Sequence, residues 1–585
     1  MQQLTFVLDE NDSAAEMVQS VTTNPAYENA SCRLQIVFEP NCEDYSHIRR
    51  ILQQATEELA TTHTVGMTLM GPIGPTVRVP SHPICTFLLF EHSDATVYTY
   101  DCHDLSPVEA GSAFCDELTK LQDLKGILCL TSSSTLCPDG FINAVAHAFP
   151  DVPIFGSVAG SPLMSEDLSA VFAQDRIMNR GIVAVALCGS DLHLWCDYTL
   201  GWRPIGKGLT VTSYAGGGVV RAINGEPATS LYKRYLGVGT DEYFFANTCT
   251  FPLVVHEGER LAARTPLNYT ADGALLFCAT IPNGTQVRFS YAKPEYLLQE
   301  SLATANSVAN FAPQGLLVFA CQGRRVFLGN DTADREISYY SEACPTMAWA
   351  GGYAEILHDD TGGGLLNNSI AVIGLREGDE VPDTPHAPIV DPELRTQGTV
   401  IPLHERLVTF LEATTTELRA TINELARLAE RDQLTGFYNR RHMDKLIRYE
   451  LSKRRTGDDL VLLMYDIDHF KQINDQYGHD VGDMVLRDLT EVVSDAVRTA
   501  DTLSRWGGEE FLCLLAETSL KDGRMVAERI RQRVEQHVFD PVGQVTISIG
   551  VTSARVDDTL ETLFARTDKA MYDAKNGGRN CVRVR

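Results

Sequence analysis

An apolar segment of the sequence ends abruptly in two acidic residues. The residues "LVLLMY" (460–465) have the uninterrupted apolar character of a buried central strand, and Asp466-Ile467-Asp468 follows them directly. Because side chains alternate along a strand, Asp466 and Asp468 are expected on the same face at its end. Carboxylates in such a place are costly unless they are paired or bound to a cation. The segment therefore predicts a site that binds a positively charged group.

Two further glutamates follow a pair of glycines in "SRWGGEEFLCLL" (504–515). Gly507 and Gly508 are flanked by apolar stretches, which predicts a tight hairpin turn. By themselves, Glu509 and Glu510 are compatible with a solvated surface hairpin. If the hairpin belongs to a strand next to Asp466, however, these glutamates can meet its carboxylate. Hard oxygen ligands of this kind suit Mg²⁺, and two such ions support phosphoryl or nucleotidyl transfer.

A phosphate group also needs cations, and the segment "DAKNGGRN" (573–580) supplies them. Lys575 and Arg579 are four residues apart, which predicts that they lie on one side of a helix end. Carboxylates, glycines and basic residues are thus all available for a site that binds metal and phosphate.

The elements that must position these residues are predicted from Arg431 onward. Helical and strand-like segments alternate there with one hairpin, which predicts an α+β domain whose sheet is covered by helices. The preceding residues, up to about 375, read as α/β, because strand-like runs such as "GIVAVAL" alternate with helical patterns and glycine turns. Two stretches, beginning at "LQIVFE" and "GILCLTS", each read as strand, helix, strand and glycine turn, as repeated βαβ units do.

Four blocks of the C-terminal segment resemble the GGDEF domains of diguanylate cyclases. They are "DQLTGFYNRR" (432–441), "DIDHFKQINDQYGHDVGD" (466–483), "GGEEF" (507–511) and "DKAMYDAKNGGRN" (568–580). Their order and spacing make the resemblance specific, and Phe437, where the family often has leucine, is a conservative departure. The resemblance implies a palm-like, antiparallel-type sheet covered by helices. It also implies condensation of two GTP into cyclic di-GMP, with release of two pyrophosphates.

The same resemblance implies roles for individual residues. The metal ligands would be Asp466, the Ile467 carbonyl and Glu509, holding two Mg²⁺ ions per active site, with Mn²⁺ as a substitute. Glu510 would assist at the metal site, and which glutamate helps to deprotonate the 3′-hydroxyl stays open. The implied GTP-binding residues are Phe470 and Lys471 beside the triphosphate, Asn474 and Asp483 on the guanine edge, Gly507 and Gly508 under the nucleotide, and Lys575 and Arg579 on the terminal phosphate oxygens. An aspartate at position 483 can accept from guanine N1 and N2, donors that adenine lacks.

The tetrapeptide "RTAD", Arg498 to Asp501, precedes the glycine pair. Two oppositely charged residues three apart on a helix would by default form a surface ion pair. In GGDEF domains, however, RxxD at this offset is the inhibitory site that binds the product. The planar guanidinium of Arg498 suits guanine or phosphate, and the resemblance therefore implies feedback inhibition at Arg498 and Asp501.

A helix free of glycine and proline is predicted from Leu403 to Glu430. Its apolar positions recur at alternating spacings of three and four, the seam of a coiled coil, at Val408, Leu411, Thr415, Leu418, Ile422, Leu425 and Ala429. The alternative is a single helix that packs on its own domain. Because one GGDEF site holds one GTP while the product is a symmetric ring of two, catalysis implies a homodimer or a transient encounter of two copies. The predicted helix can provide the homodimer.

The first part of the chain, from about residue 30 to 375, resembles the FIST sensory module. The stretches that carry the resemblance are "PIFGSVAG" (153–160), "GWRPIGKGLTVT" (201–212), "FACQGRRVFLG" (319–329) and "GGYAEI" (351–356). The family implies an unknown small ligand, such as an amino acid. On chemistry alone, Arg324 or Arg325 could pair with a carboxylate, and Gly156 to Gly160 could form an anion-accepting turn. Structural turns and surface arginines are the alternatives.

Composition narrows the class of protein. The net charge is −28, but residues 431–585 carry 24 Lys+Arg against 26 Asp+Glu, so almost all the excess is in the first part of the chain. An acidic front argues against nucleic acid polymers and anionic membranes as partners. The N-terminus lacks the pattern of a secretory signal, no long apolar span occurs, and the fifteen scattered cysteines form no CxxC. These features predict a cytoplasmic protein with free thiols.

The expected organisation is an extension over 1–30, FIST sensory domains over 31–230 and 231–376, a linker over 377–402, a signalling helix over 403–431 and a GGDEF domain over 432–585. The leading hypothesis is an active cyclase regulated by a small ligand at the sensor and by its own product. The alternative is an inactive GGDEF domain that only binds GTP or cyclic di-GMP. Degenerate domains usually lose a metal carboxylate or a glycine, and this chain keeps them all.

Overall fold

The computed structural model describes residues 1–8, 14–40, 45–59, 61–70, 82–132, 136–161, 168–174, 176–379, 386–395, 403–453 and 459–585. These residues form two compact units, Met1–Thr409 and Phe410–Arg585. Much of the linker predicted at 377–402 lies outside the described residues. The fold class is the mixed α/β and α+β, multidomain one that the sequence predicts.

The first unit is built mostly from strands. Its strands are β1 Gln2–Val7, β2 Cys32–Glu39, β3 His63–Thr68, β4 Ile84–Phe90, β5 Asp94–Asp101, β6 Leu124–Thr131, β7 Ile154–Val158, β8 Val171–Ala173, β9 Arg176–Met178, β10 Gly181–Cys188, β11 Leu192–Thr199, β12 Arg203–Tyr214, β13 Val219–Ile223, β14 Glu226–Pro227, β15 Leu253–Glu257, β16 Arg260–Arg264, β17 Asn268–Tyr269, β18 Leu275–Leu276, β19 Gln286–Tyr291, β20 Gly315–Cys321, β21 Ala348–Gly352, β22 Ala354–Asp359, β23 Gly362–Leu366 and β24 Ile370–Glu377. Its helices are α1 Ala14–Thr22, α2 Pro25–Asn29, α3 Ser46–Glu58, α4 Pro107–Leu118, α5 Asp139–Ala148, α6 Ala228–Leu236, α7 Phe244–Thr248, α8 Pro294–Phe311, α9 Gln322–Leu328 and α10 Asn330–Ala343.

These strands form sheets with the orders β1-β4-β2-β3-β8-β9, β23-β22-β7-β6-β10-β5, β11-β24-β20-β21 and β16-β15-β19-β12-β13-β18-β17, with β14 beside β13. Parallel pairs occur where a helix connects two strands, because a parallel connection must cross over the sheet. Thus β2 and β3 flank α3, β6 and β7 flank α5, and β20 and β21 flank α9 and α10. The two strand–helix–strand stretches seen in the sequence are the first two of these pairs.

One buried ion pair fixes the corner where β20, α9 and α10 meet. Arg324 Nη2 lies 2.6 Å from Glu336 Oε1, and both side chains are only 2% exposed. The other guanidinium hydrogens are donated to the carbonyl oxygens of Leu200 and Asn368 and to the hydroxyl of Ser301. A buried pair of this kind is stable only because both partners are also hydrogen-bonded.

The long helix α11 Leu403–Glu430 follows, and the second unit continues with helices α12 Arg440–Lys453, α13 Phe470–Tyr477, α14 His479–Ser494, α15 Leu520–Gln536 and α16 Leu560–Asn576. Its strands are β25 Tyr438–Asn439, β26 Leu460–Ile467, β27 Thr502–Gly507, β28 Glu510–Ala516, β29 Val538–Phe539, β30 Gly543–Gln544, β31 Ile547–Ser553 and β32 Val582–Val584. The main sheet has the order β25-β27-β28-β26-β31-β32. Its four central strands are antiparallel, and only the edge pairs are parallel.

The central strand β26 is buried on both faces, and its alternating side chains contact different helices on each face. Val461, Leu463 and Tyr465 belong to one apolar cluster together with residues of α14 and α15. Leu462 and Met464 belong to another, together with residues of α12 and α16. Each face of the sheet is therefore covered by its own pair of helices, which explains why "LVLLMY" carries no polar residue.

Two observations concern the predictions about membrane spans and cysteines. No helix among the described residues is long and apolar enough to cross a membrane. The cysteines in the described ranges are free thiols, and most are buried. Burial holds the pKa of Cys321 and Cys513 well above the usual thiol value, because the thiolate would be desolvated.

The Arg324–Glu336 pair gives a testable difference in stability. Glu336→Gln is expected to lower the free energy of unfolding of the first unit by about 3–5 kcal/mol, because it leaves a buried guanidinium uncompensated. Asp334→Asn is the matched control, since Asp334 pairs with the neighbouring Arg325 but its side chain is 60% exposed. The control should cost at most about 1 kcal/mol. Calorimetric unfolding of both variants measures this, and equal effects would contradict it.

Candidate active site

The glycine hairpin lies on the strand next to Asp466. Strands β26 and β28 are antiparallel neighbours, and Asp466 is directly opposite Glu510 in their register. Gly507 pairs with Glu510 across the hairpin, so Gly508 and Glu509 form its two-residue turn. Gly508 has a φ of +55°, a conformation that favours glycine. The three carboxylates of Asp466, Glu509 and Glu510 are therefore held at one end of the sheet.

Alternation along the strands explains which helix these carboxylates meet. Asp466 lies on the same face of β26 as Met464, the face that packs against α12 and α16. At the end of α16, Lys575 Nζ lies 2.7 Å from Asp466 Oδ2, while the Asp466 side chain is only 6% exposed. One buried carboxylate is thus paired to the basic residue that the sequence predicts for this site.

The electrostatics of the site favour a cation. Burial raises the pKa of Asp466 to about 6, the negative charges of Glu509 and Glu510 add to this, and Lys575 opposes it. The pKa of Glu510 is also raised, first by burial and then by the charges of Asp568 and Glu509, against Lys575 and Arg440. Lys575 and Arg440 do not balance the four carboxylates of Asp466, Glu509, Glu510 and Asp568, so an additional cation would be stabilised here.

Asp468 has a structural role, and it lies just beyond the end of β26 at Ile467. Its carboxylate accepts hydrogen bonds from Thr546 and Ser548, at 2.8 and 2.7 Å, and from the backbone N–H of Asn580 at 3.0 Å. Asp468 therefore ties the loop after α16 to β31 rather than facing the carboxylate cluster with a free oxygen.

The predicted position of Arg579 requires a correction. Helix α16 ends at Asn576, so Arg579 lies beyond it, in a turn where its φ is +62°. The relation of two residues four apart on one helical face therefore does not hold for Lys575 and Arg579. The glycines at 577 and 578 end the helix, and its loop returns toward β26 through the Asn580–Asp468 hydrogen bond.

Helix α13 begins directly after β26. His469 precedes it in a left-handed conformation, with φ +59°, and Phe470 and Lys471 form its first turn. The Phe470 side chain packs in the apolar core, so only its backbone N–H is available to a ligand. The Lys471 side chain is exposed. The N–H groups at the start of a helix favour anions. The start of α13 is therefore compatible with the phosphate that the sequence predicts beside Phe470 and Lys471.

Asn474 and Asp483 lie close together because Gly482, between them in space, has no side chain. A Cβ atom on Gly482 would lie 1.9 Å from Asn474 Oδ1, so only glycine lets this carboxamide rest against α14. Asp483 is the next residue of that helix and is half-buried, as is Asn474. The two residues expected on the guanine edge are thus neighbours in space.

Sequence reasoning overlooked Arg505, which holds the hairpin. Its Nε donates to the Gly508 carbonyl at 2.8 Å, and its Nη1 lies 3.2 Å from Asp432 Oδ1. Asp432 in turn accepts from the backbone N–H and hydroxyl of Thr435. The sequence feature that could have indicated this role is a basic residue two positions before the glycine pair.

The RxxD tetrapeptide is a turn, whereas the sequence interpretation considered it on a helix. Helix α14 ends at Ser494, and Asp501 Oδ2 accepts from the Arg498 backbone N–H at 2.8 Å. The backbone N–H of Asp501 donates to the Arg498 carbonyl, closing the same turn. Asp501 therefore shapes the loop, and the Arg498 residue is exposed at its start.

The residues considered for the sensor ligand serve packing. Gly156 lies within β7, where a Cβ would be 1.9 Å from the Cys129 carbonyl oxygen, so it is not part of an anion-accepting turn. A Cβ on Gly160 would lie 2.5 Å from Met70. The guanidinium of Arg324 binds Glu336 and backbone carbonyl oxygens, as described above. The expectation of a turn at Gly156 is therefore corrected. Close packing and the buried ion pair give Gly160 and Arg324 structural roles, and a ligand role for these two residues stays a prediction.

The donor set fits a metal ion only in part. Across the described ranges, no three or more His, Cys, Asp and Glu side chains are grouped so that they could hold a metal by themselves. Mg²⁺ usually takes one or two protein carboxylates and completes its shell with water and phosphate oxygens. The buried, crowded carboxylate of Asp466 beside Glu509 and Glu510 fits a divalent cation of that kind.

Family models match three consecutive segments of the chain. Residues 429–581 match the diguanylate cyclase GGDEF domain. Residues 33–226 match the FIST N domain, and residues 228–356 match the FIST C domain.

Several characterised proteins are similar over the C-terminal segment. Response regulator PleD of Caulobacter vibrioides is 44% identical over 173 residues, which cover 28% of this chain and 38% of PleD. Diguanylate cyclase DgcP of Pseudomonas aeruginosa is 37% identical over 196 residues, which cover 33% of this chain and 29% of DgcP. Diguanylate cyclase A of Treponema denticola is 46% identical over 135 residues, which cover 22% of this chain and 36% of that protein.

The matched segment spans less than two-fifths of the length of each of these relatives. It coincides with the part of the chain that contains the carboxylates, the glycine hairpin and Lys575. The remaining matches cover most strands of the first unit, and β1, β23 and β24 lie outside them. The chain therefore combines a FIST N domain and a FIST C domain with a C-terminal GGDEF domain of the diguanylate cyclase type.

Proposed function

We propose that the chain is a diguanylate cyclase, which condenses two GTP into cyclic di-GMP and releases two pyrophosphates. The observation that carries this is the placement of Asp466 opposite Glu510, with Glu509 in the adjoining turn and Lys575 at 2.7 Å from Asp466. Such an arrangement can hold a cation and a triphosphate at one end of a rigid sheet. The similarity to proteins named diguanylate cyclases supports the same activity.

A divalent metal would be held by Asp466, the Ile467 carbonyl and Glu509. We propose two Mg²⁺ ions per site, with Mn²⁺ able to substitute. When bound, such ions neutralise the phosphates and activate the attacking hydroxyl. A metal on Asp466 would also leave the ammonium group of Lys575 available for a phosphate oxygen.

The chain's own residues would orient the substrate. The first-turn N–H groups of Phe470 and Lys471, together with Lys575 and Arg579, would bind the triphosphate. Asn474 and Asp483 would accept hydrogen bonds from the guanine edge, and Gly507 and Gly508 leave room above the hairpin for the nucleotide. In each half-reaction the 3′-oxygen of one GTP bonds to the α-phosphorus of the other, and the bond from that phosphorus to pyrophosphate breaks.

The proton of the 3′-hydroxyl must pass to a base during this step. Glu510 is half-buried and its pKa is raised, which makes it a better base at neutral pH than an exposed glutamate. Glu509 is the proposed metal ligand. The catalytic group would thus consist of Glu509, Glu510 and Asp466.

Two copies must face each other, and α11 offers the surface for a homodimer. The side chains of Leu411, Leu418, Ile422 and Leu425 are 50%, 59%, 54% and 60% exposed, respectively. They repeat with the heptad spacing, and an exposed apolar seam of this kind is covered when two helices pair. The side chain of Val408, which the sequence places in the same seam, is outside the described residues.

Regulation would act through the GGDEF domain and through the FIST domains. Arg498 and Asp501 would bind cyclic di-GMP as a product inhibitor, and the FIST N and FIST C domains would sense a small ligand. We propose a cytoplasmic location, with neither nucleic acid polymers nor membranes as partners, from the strongly acidic first part of the chain.

Glu509→Ala tests the catalytic site. Removing this carboxylate should lower the rate of cyclic di-GMP formation from GTP by at least about a hundredfold, because the metal loses a ligand. Asp557→Ala, an exposed carboxylate of the same unit, is the control and should keep the parental rate. Product quantified by chromatography gives the result. Undiminished product in Glu509→Ala would contradict the mechanism, and no product from the parent would favour a GTP-binding module.

Arg498→Ala tests product inhibition. The initial rate should stay at the parental value, while added cyclic di-GMP should no longer slow the reaction, because the exposed guanidinium is lost. Arg524→Ala, which removes an exposed arginine from α15, is the matched control and should remain inhibited. Inhibition that persists in Arg498→Ala would show that this turn is not the inhibitory site.

Ile422→Lys tests the helix seam. A charge in the centre of the seam should shift the chain toward monomer and lower the rate at dilute protein, with partial recovery at high concentration. Glu417→Lys, on an exposed position between seam residues, is the control. Sedimentation and activity are measured over the same concentration range. A monomeric Ile422→Lys variant with the full rate when dilute would contradict pairing through α11.

A further inference from the structure

A second basic residue lies beside the carboxylates of the second unit, on the side away from Lys575. The sheet order places β28 between β26 and β27, so Glu510 at the start of β28 has a neighbouring strand on each side. Lys575 meets the end of β26 through Asp466. Arg440 lies over the ring of Trp506 on β27, with its guanidinium carbon 4.6 Å from the ring centroid. Glu510 is therefore flanked by a basic residue on each side.

These side chains lie on the same face of the sheet. Trp506 belongs to the apolar cluster that packs against α12 and α16, together with Met464. Asp466 shares the face of Met464 because side chains alternate along β26, and Glu510 lies directly opposite Asp466 in the antiparallel register. Arg440 is the first residue of α12, which covers this face. The face that carries the carboxylates therefore also carries Arg440.

The positive charge of Arg440 acts on Glu510 but is not neutralised by an ion pair. Burial raises the pKa of Glu510, and the charges of Lys575 and Arg440 oppose this rise. Lys575 is paired with Asp466 at 2.7 Å, whereas Arg440 forms no ion pair in the part of the chain that the structure describes. A guanidinium over an aromatic face keeps the N–H groups at its edge available. Arg440 can therefore receive an anion.

Open space adjoins Arg440 and Trp506 at the hairpin. A Cβ atom on Gly507 or on Gly508 would meet nothing within 4 Å beyond its neighbours in the chain. Gly507 directly follows Trp506, so this space begins beside the ring that holds Arg440. A phosphate group can therefore approach the hairpin here without displacing a packed side chain.

The position of Arg440 favours a phosphate of the facing GTP. The groups proposed for a copy's own triphosphate, which include the start of α13 and Lys575, adjoin the end of β26. Arg440 adjoins β27, on the other side of Glu510. Glu510 is the proposed base for the 3′-hydroxyl, whose oxygen bonds to the α-phosphorus of the facing GTP. The facing α-phosphate must therefore arrive next to Glu510, where Arg440 can meet it.

We propose that Arg440 binds a non-bridging oxygen of the α-phosphate of the facing GTP, and that Trp506 positions its guanidinium for this contact. In the step, the 3′-oxygen bonds to the α-phosphorus, the bond from that phosphorus to pyrophosphate breaks, and the proton of the 3′-hydroxyl passes to Glu510. Arg440 stays protonated and donates hydrogen bonds to the transferred phosphate, whose charge is thereby stabilised in the transition state. This inference rests on the proposed function, since it requires two facing GTP molecules.

Arg440→Met tests the contact in the full chain. Methionine keeps an unbranched side chain over the Trp506 ring and removes the charge and the N–H donors. The rate of cyclic di-GMP formation at saturating GTP should fall about a hundredfold, because the transferred phosphate loses a charged donor. Arg440→Lys keeps the charge without the planar fork and should lose about tenfold. Arg441→Met changes the next residue of α12, which is also exposed, and this matched control should keep the parental rate.

Nucleotide binding separates this role from a general role in holding GTP. The probe is 3′-deoxy-GTP, which lacks the attacking hydroxyl and can occupy the site without reacting. Titration calorimetry with Mg²⁺ should give Arg440→Met an affinity within about threefold of the parental one, because the contact is made chiefly in the transition state. Lys575→Met should bind the probe at least about tenfold more weakly. The unfolding temperature of Arg440→Met should equal that of the parent, because Arg440 is exposed.

The possible outcomes separate this inference from the proposed function. An active parent with an undiminished rate in Arg440→Met would overturn the inference alone. An equal fall in rate in Arg441→Met would also overturn it, since a general loss of positive charge would then explain both variants. A loss of 3′-deoxy-GTP affinity in Arg440→Met as large as in Lys575→Met would place Arg440 on the copy's own triphosphate and overturn the assignment. A parent that binds 3′-deoxy-GTP but forms no cyclic di-GMP from GTP would refute the proposed function, and this inference with it.

Discussion

The carboxylate of Asp466 is buried at the end of β26, opposite Glu510 and beside the Glu509 turn, and it requires positive charge nearby. Lys575 supplies one charge at 2.7 Å, yet burial and the two glutamates still raise the pKa of Asp466 to about 6. Burying an uncompensated charge is among the most costly features a protein can have. The site is therefore held in a state that favours a cation and a polyphosphate.

The remainder of the second unit keeps this unfavourable arrangement in place. Strand β26 is anchored by apolar clusters on both faces, so its end cannot move away from the neighbouring strand. Arg505 fixes the Gly508 carbonyl and Asp432, and Asp468 ties the loop after α16 to β31. A site built on rigid strands in this way can hold reacting groups at fixed distances, which is what in-line phosphoryl transfer requires.

Much of this arrangement could be predicted from the sequence, and the failures have physical causes. The buried strand, the hairpin and the basic helix end are local patterns, and alternation places Asp466 on the correct face. Arg579 was misplaced because the glycines after Asn576 end α16 three residues before Arg579. The RxxD segment was misplaced because α14 ends at Ser494. Arg324 was misjudged because its partner Glu336 lies on another helix, and long-range ion pairs leave no local pattern. The roles of the site residues and the domain boundaries stay predictions.

The proposal as a whole depends on two facing copies of the Asp466 site joining two GTP molecules. The most direct measurement is incubation of the purified full chain with GTP and Mg²⁺, followed by quantification of cyclic di-GMP and pyrophosphate, with and without a chelator. We expect cyclic di-GMP and pyrophosphate in a ratio of one to two, and neither product when the metal is chelated. GTP that binds but stays intact in the presence of Mg²⁺ or Mn²⁺ would contradict it.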